Sequence, residues 1–319
     1  MKEDNQNTKE EELIDLDEKG KGKAVPKKEE KKSESSETFT HVLAIFLALV
    51  LLGLFLKIFV FNKNVEKTKD YHKLKTADDM NRVVGDTIIR FINQHPKANI
   101  GLASGTTPEG LYKYLIDKYK KGEVSFKNIK FFSIDGYCGL NKEDKNSYHY
   151  ALTESFLSKV DAQEKNIFLL KEEGKTLSDY EKNAEDYNKL LKENPIDLQI
   201  LSFGENGHIG FNEPDTDFNL LTHVVKLTDE KRKDKSKIFG SIEKTPEYAI
   251  TQGVQSVLQA KEVIAIAKGK GKAKAVDGLV NGVFTQKLPI TALINHNGKV
   301  TLYTDEEAGQ FVKDYNKKF

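Results

Sequence analysis

A glycine-rich segment at 203–214, FGENGHIGFNEP, places an imidazole and carboxylates within a few residues of one another. Its glycines permit a tight backbone path, so His208 and Glu213 are close enough in sequence to face one site. A carboxylate that orients an imidazole is suited to proton transfer near neutral pH. A metal site is the alternative, but His208 has no second histidine at ligand spacing, and we predict no metal.

Asp135 stands directly after the apolar run 129–134, IKFFSI. In a partly dry cleft, a carboxylate at the end of a strand could abstract a proton next to a carbonyl or an imine. An aspartate before a glycine such as Gly136 is also common in turns. The residue types alone leave both interpretations open.

Hydroxyl and lysine side chains follow two further apolar runs. After ANIGLA at 98–103 comes SGTTP at 104–108, where hydroxyls and the free N–H groups of a helix start suit a phosphate. An ordinary helix cap explains the same residues. The Gly-Lys-Ser/Thr ending of a nucleotide P-loop is missing, which argues against ATP. After VIAIA at 263–267 comes KGKGK at 268–272, which could reach the same phosphate or form a solvated basic turn.

Strand-like apolar runs alternate with polar loops and helical patterns along the chain from about residue 68. The runs lie at 98–103, 129–134, 198–203 and 263–267. Repeated strand, loop and helix units predict an α/β fold, a three-layer and mostly parallel Rossmann-like sheet covered on both faces. Ligands bind outside the carboxyl ends of strands in such sheets, so the four loops should share one site.

The charge balance and the cysteine count narrow the function classes. Lys plus Arg number 50 against 49 for Asp plus Glu, so the net charge of +1 gives no reason to expect nucleic acid as a partner. Cys138 is the lone cysteine, which excludes an internal disulfide and a cysteine-based metal cluster. A reducing compartment is consistent with this usage.

The N-terminal part of the chain has a different composition. Residues 1–38 are dense in charged groups and predict a disordered leader. The almost wholly apolar stretch 39–61 predicts one transmembrane helix, and 62–75 a linker to a catalytic domain at 76–319. Lysines flank the apolar stretch on both sides, so the positive-inside rule does not decide its orientation.

Taken in order, the four loops resemble those of the glucosamine-6-phosphate deaminase/isomerase family, whose fold is shared with ribose-5-phosphate isomerases and 6-phosphogluconolactonases. The resemblance covers roughly 76–310. It is most specific at IDGYCGL (134–140), NGHIGFNEP (206–214) and THVVKLT (222–228).

The resemblance implies a role for each candidate residue. Asp135 would move the C2 proton of the opened sugar to C1, and His208, oriented by Glu213 and Asn206, would open the pyranose ring. The implied reaction converts glucosamine 6-phosphate into fructose 6-phosphate and ammonia without a metal or an organic cofactor. The phosphate would be held by Ser104, Gly105, Thr106, Thr107, Thr216, Lys237 and Lys272. A homo-oligomer is compatible with the family.

Four departures from the family pattern bear on this expectation. Asn206 stands where some members have Asp, Gly136 replaces a usual Glu beside the base, and Lys237 replaces an expected Arg. Where regulated members place a basic pair, this chain has His223 and Val225, which argues against regulation by an amino-sugar phosphate.

Two alternative functions are compatible with the same fold. A 6-phosphogluconolactonase would hydrolyse an ester, and Asp135 and the Phe-Asn-Glu-Pro ending argue against it. A sugar-phosphate sensor at the membrane would have no use for two proton-transfer groups. Because phosphorylated sugars are normally intracellular, we expect the catalytic domain of a single-pass membrane protein on the cytoplasmic side.

Overall fold

The computed structural model describes residues 43–50 and 68–319. Residues 43–50 form a helix, α1. Eleven strands belong to the second range: β1 Lys69–Lys73, β2 Asn99–Leu102, β3 Lys130–Ser133, β4 Asp135–Tyr137, β5 Ile167–Phe168, β6 Leu198–Ser202, β7 His223–Lys226, β8 Tyr248–Thr251, β9 Glu262–Ala267, β10 Lys299–Thr304 and β11 Asn316–Lys318. Its α-helices are α2 Ala77–Gln94, α3 Glu109–Lys120, α4 Tyr148–Ser155, α5 Leu177–Glu193, α6 Asp229–Phe239, α7 Val254–Leu258 and α8 Ala273–Val280.

Eight strands form one large sheet in the order β11-β1-β10-β9-β6-β2-β3-β5. All its strand pairs are parallel except β1 with β11. The mostly parallel α/β sheet expected from the apolar runs is therefore confirmed.

Side chains on the two faces of this sheet belong to two different hydrophobic cores. Along β9, Val263 and Ala265 belong to a core shared with α5 and α8, whereas Ile264 and Ile266 belong to one shared with α2 and α3. Because successive strand residues point to opposite faces, a strand buried on both sides is apolar at every position. That is the pattern VIAIA, and the helices complete the predicted three layers.

The helices begin where short polar side chains can cap them. Thr76 accepts a hydrogen bond from the backbone N–H of Asp79 at the start of α2. At the start of α5, Thr176 and Asp179 form a reciprocal capping box. Each cap satisfies N–H groups that the first helical turn leaves unpaired.

A small antiparallel sheet of three strands, β4-β8-β7, was not expected from the sequence. The chain leaves the large sheet at Ser133 and enters the small sheet at Asp135. Asp135 therefore lies on a strand and pairs with Thr251, rather than lying in a loop. Strand pairing fixes its backbone more firmly than a turn would.

The folded domain begins earlier than the predicted boundary at residue 76. Strand β1 lies inside the predicted linker 62–75 and is hydrogen-bonded on both sides, to β10 and to β11. Tyr71 at its centre is fully buried. Its sequence, KDYHK, has a single large apolar side chain and no alternation of polar and apolar residues, so its pattern did not separate a strand from a linker.

The prediction of a single-pass membrane protein is wrong. Within the residues that the structure describes, no helix is long and apolar enough to cross a membrane. Apart from 43–50, the positions of 39–61 and the leader 1–38 lie outside the described residues. The expected cytoplasmic orientation of the domain depended on that span and falls with it.

Candidate active site

Asp135 is a buried carboxylate at the junction of the two sheets. Only 7% of the residue is exposed, and its Oδ1 accepts a hydrogen bond of 2.6 Å from the hydroxyl of Ser104. Burial raises the pKa of Asp135 to about 6, against the lowering effect of the Ser104 hydroxyl. The carboxylate is ionised at neutral pH yet more basic than an exposed aspartate, as a general base requires.

His208 belongs to a polar cluster on the loop that follows β6. Its Nδ1 lies 2.6 Å from Asn206 Oδ1 and 3.7 Å from Glu213 Oε1. Asn206 in turn donates from Nδ2 to Glu213 Oε2 at 2.9 Å. The amide thus links the imidazole to the carboxylate, and the acceptor at Nδ1 favours the tautomer that leaves Nε2 free to accept a proton.

Burial and three nearby lysines keep the imidazole of His208 neutral. Burial lowers its pKa, Glu213 opposes that effect, and Lys231, Lys272 and Lys235 lower the pKa further. Burial raises the pKa of Glu213, but hydrogen bonds from Lys231 and Asn206 outweigh it and leave that pKa lowered. Glu213 is therefore an anion and His208 a neutral imidazole near pH 7.

The position of the imidazole depends on the absence of a side chain at Gly204. A Cβ there would lie 2.0 Å from His208 Cε1, so only glycine lets the ring pack this closely on the backbone. The backbone N–H of Gly204 donates to the His208 carbonyl at 2.9 Å, which closes the turn. Gly204 therefore fixes where the ring lies.

Hydroxyls and a lysine line the same cavity from the loops after β2 and β9. Helix α3 begins at Glu109 without a side-chain cap, so the hydroxyls of Thr106 and Thr107 are not used in capping. Lys268 donates from Nζ to the Thr106 carbonyl at 2.8 Å and ties the two loops together. Lys272 points to the cavity, and burial lowers its pKa. This arrangement is suited to an anion such as a phosphate.

Two lysines of α6 also line the cavity, and these were not anticipated. Lys231 forms an ion pair of 2.7 Å with Glu213, and Lys235 lies one turn further along the helix. Lys237 and Thr216, both predicted to bind phosphate, are not among the lining residues. A helix turns about 100° per residue, which places Lys237 on the face opposite Lys235. The lysine spacing on α6 was the available signal, but a chain with so many lysines makes it weak.

One cavity of about 450 Å³ brings these groups together. Its walls contain every predicted site residue except Thr216 and Lys237, together with aromatic groups that sequence reasoning missed, Tyr137, Tyr148 and Phe211. The volume suits a small polar molecule. Within the described ranges, no group of three or more His, Cys, Asp or Glu side chains is arranged to hold a metal ion.

A basic carboxylate, a neutral imidazole and an anion cradle around one cavity of an α/β fold are typical of a sugar-phosphate enzyme. The chain belongs to the family described as glucosamine-6-phosphate isomerases/6-phosphogluconolactonase, whose family profile matches residues 72–302.

Named relatives lie on the deaminase side of this family. A glucosamine-6-phosphate deaminase of Oceanobacillus iheyensis is 41% identical over 231 residues, which are 72% of this chain and 91% of the relative. One of Mycoplasma mycoides subsp. mycoides is 37% identical over 236 residues, 74% of this chain and 94% of the relative.

Solved structures extend the comparison to the fold. A monomeric glucosamine-6-phosphate deaminase superposes with a TM-score of 0.70 at 34% identity, covering 75% of this chain and 98% of that one. The 6-phosphogluconolactonase of Trypanosoma brucei has a TM-score of 0.63 at 20% identity, covering 78% of this chain and all of the other. At that identity the second likeness shows the fold alone.

Proposed function

We propose that this protein is a glucosamine-6-phosphate deaminase, which converts glucosamine 6-phosphate and water into fructose 6-phosphate and ammonia. The observation that carries the proposal is the single cavity in which Asp135 and His208 both lie beside the hydroxyls of residues 104–107 and Lys272. The relatives named as deaminases, at up to 41% identity, support the same activity.

Substrate binding would begin at the phosphate. The hydroxyls of Thr106 and Thr107 and the ammonium of Lys272 line the cavity, together with the Ser104 hydroxyl, which is hydrogen-bonded to Asp135. Lys235 adds a second positive charge from α6. A dianionic phosphate held by several donors would fix the sugar with its reactive end toward His208 and Asp135.

Ring opening is the task that suits His208. Its neutral imidazole can take the proton of the C1 hydroxyl and return it to the ring oxygen. Glu213, linked through Asn206, would stabilise the imidazolium that forms in between. The product of this step is the open-chain aldehyde.

Proton transfer between carbons is the task that suits Asp135. The carboxylate removes the C2 proton to give an enolamine, then returns a proton to C1, which leaves an imine at C2. Water adds to the imine carbon, and the carbon–nitrogen bond breaks to release ammonia and fructose 6-phosphate. The raised pKa of Asp135 makes it both a better base and an effective acid in the return step.

Ammonia release from glucosamine 6-phosphate tests this proposal directly. We expect turnover with glucosamine 6-phosphate and none with 6-phosphogluconolactone, measured by coupled ammonia assay and by acid release, respectively. Asp135→Asn should reduce kcat by about three orders of magnitude or more, with KM nearly unchanged, because the base is lost but the phosphate cradle is not. Lactone hydrolysis without ammonia release would show a 6-phosphogluconolactonase instead.

The solved relative is described as monomeric, and the homo-oligomer expected for this chain stays a prediction.

A further inference from the structure

Glu172 has a buried carboxyl group that the proposed reaction does not use, and burial raises its pKa to about 8. Only 3% of the residue is exposed, and it lies beyond the wall of the cavity beside the strand that carries Asp135. A Cβ built on Gly136 would lie 2.6 Å from both Cγ and Cδ of Glu172. Glu172 thus fills the space that any side chain at position 136 would enter.

The backbone of Gly136 does not itself require glycine. Its φ angle is outside the left-handed region in which glycine is favoured, unlike those of Gly105 and Gly139. The Glu172 side chain is therefore what excludes a side chain at 136. The two positions form one unit, with the carboxyl group on the loop after β5 and the space for it on β4.

The carboxyl group of Glu172 joins two elements that both reach the cavity. Its Oε2 accepts the backbone N–H of Tyr137 at 3.1 Å, on strand β4 two residues from Asp135. Its Oε1 accepts the backbone N–H of His149 at 2.8 Å, in the first turn of α4. Helix α4 begins with Tyr148, whose side chain lines the cavity. An acceptor at the start of a helix is also favoured by the helix dipole.

The main chain of Glu172 strengthens the same link. Its carbonyl accepts the N–H of Gly139 at 2.7 Å, just beyond β4. The segment from Asp135 to Gly139 is thus held to the loop after β5 through one residue, by its side chain and by its backbone. Buried acceptors that satisfy several backbone donors restrict motion of the segments that they join.

We propose that Glu172 is a positioning residue for the reaction: its carboxyl group holds β4 and the start of α4 in register, and so sets the place of Asp135 against the substrate. The inference rests on the proposed function. The side chain of Glu172 supports β4, and the absence of a side chain at Gly136 leaves the space that Glu172 occupies.

Replacing the carboxyl group tests the role. Glu172→Met keeps the length of the side chain and removes both acceptors. We expect kcat for ammonia release to fall by about tenfold to a hundredfold with KM changed by less than about threefold, since the base is displaced and the phosphate cradle is not. Glu172→Gln keeps one acceptor, so its kcat should lie between those of Glu172→Met and the parent protein. Glu173→Met, at the neighbouring half-buried position, is the matched control and should retain the parent kcat.

Moving the carboxyl group gives a second test. Gly136→Asp alone should lose activity, because the new side chain meets Glu172. A carboxyl carbon about 1.5 Å beyond the Cβ at 136 would come near the place of the Glu172 carboxyl once that side chain is removed. Gly136→Asp combined with Glu172→Ala should therefore recover at least about tenfold in kcat over Gly136→Asp alone, a coupling expected of groups that share one space.

Two results would overturn the inference. One is a folded Glu172→Met protein with the parent kcat, which would make Glu172 a stability residue only. The other is a double variant no more active than Gly136→Asp. Hydrogen exchange at the Tyr137 and His149 amides measures these hydrogen bonds independently of turnover. We expect faster exchange in Glu172→Met than in Glu173→Met. Absence of ammonia release by the parent protein would reject the proposed function, while the exchange measurement would still test the link.

Discussion

Burial acts on Asp135 and His208 with opposite consequences for their charge. It raises the pKa of the carboxyl toward neutrality and lowers the pKa of the imidazole away from it. At pH 7 the carboxylate is charged and the imidazole is not, so both groups are poised to accept a proton. The single hydroxyl of Ser104 moderates the first shift, and the Glu213 carboxylate moderates the second.

Burial of Asp135, moderated by the Ser104 hydroxyl, should set the acid limit of activity. We expect kcat/KM to fall below about pH 6 as Asp135 is protonated. In Ser104→Ala the carboxylate loses its hydrogen bond, so its pKa rises and the acid limb moves to higher pH. Weaker phosphate binding in this variant would lower the whole profile without moving its midpoint. Ser125→Ala, at an exposed loop position, should keep the parent midpoint, and an unmoved limb in Ser104→Ala would assign it to another group.

A buried base costs the protein stability. The pKa of Asp135 in the folded protein lies above the ordinary value of 3.8, so stability is lost as pH rises from that value through about 6. Asp135→Asn should therefore raise the free energy of unfolding at about pH 7.5 by up to roughly 2 to 3 kcal/mol. Near pH 3, where the carboxyl is protonated in both states, the gain should vanish. Urea denaturation at both pH values measures the difference, and equal gains at both would point to packing instead.

At the scale of an element, helix α6 separates its lysines by face. Lys231 and Lys235 differ by four positions and line the cavity, whereas Lys237 is exposed on the opposite face. Thr228 caps the helix, because its side chain accepts the N–H of Lys231. The cap fixes where the helix starts and therefore which lysines face the cavity. The family resemblance assigned phosphate binding to Lys237, whereas the periodicity of the helix favours Lys235 for that role.

Paired substitutions on α6 distinguish these lysines. Lys235→Met should raise KM for glucosamine 6-phosphate by about tenfold or more, the cost of one charge-assisted contact to a phosphate. Lys237→Met removes the same charge from the outer face and should change KM by less than about twofold, because an exposed charge is screened by solvent. Steady-state kinetics at matched ionic strength measures both. The reverse order would restore the phosphate role to Lys237.

Strand β1 makes residues 69–73 of the predicted linker part of the fold. A protein that starts at residue 62 should unfold like the full chain, whereas one that starts at residue 76 loses a strand between β10 and β11 and the buried ring of Tyr71. Loss of a fully buried aromatic side chain alone costs about 3 to 5 kcal/mol. Thermal unfolding of the two truncated proteins measures the difference. Equal melting temperatures would mean that β1 does not contribute to the stability of the fold.

At the scale of the whole molecule, four neighbouring strands of the large sheet were predictable, whereas its remaining strands and the small sheet were not. Strands β2, β3, β6 and β9 are buried on both faces and are therefore continuous apolar runs in the sequence. Strands β4 and β7 have only three or four residues and carry polar groups such as Asp135 and His223. Strand β4 pairs with β8 across more than a hundred residues, and β7 pairs with the same strand across more than twenty, so no local pattern reports either pairing.

The candidate site divides in the same way. The loops at 104–107 and 204–213 follow apolar strands directly, so the general rule for open sheets predicted their meeting. Tyr148, Lys231 and Lys235 come from helices and reach the cavity only because of how those helices pack. The family resemblance is confirmed by the match over 72–302, whereas the individual roles of the residues await the substitutions above.

The base lies on the small sheet, and the phosphate cradle lies on the large one. The chain joins the two sheets at Ile134, so a phosphate held by Thr106, Thr107 and Lys272 would lie at a set distance from Asp135, and the cavity would select substrates by their length. A five-carbon sugar phosphate held in the same cradle would present its reactive carbon one bond, about 1.5 Å, short of the carboxylate. A misplacement of about 1 Å already costs on the order of a hundredfold in rate. Chain length, rather than any contact with the carbon skeleton, would then exclude pentose phosphates from turnover.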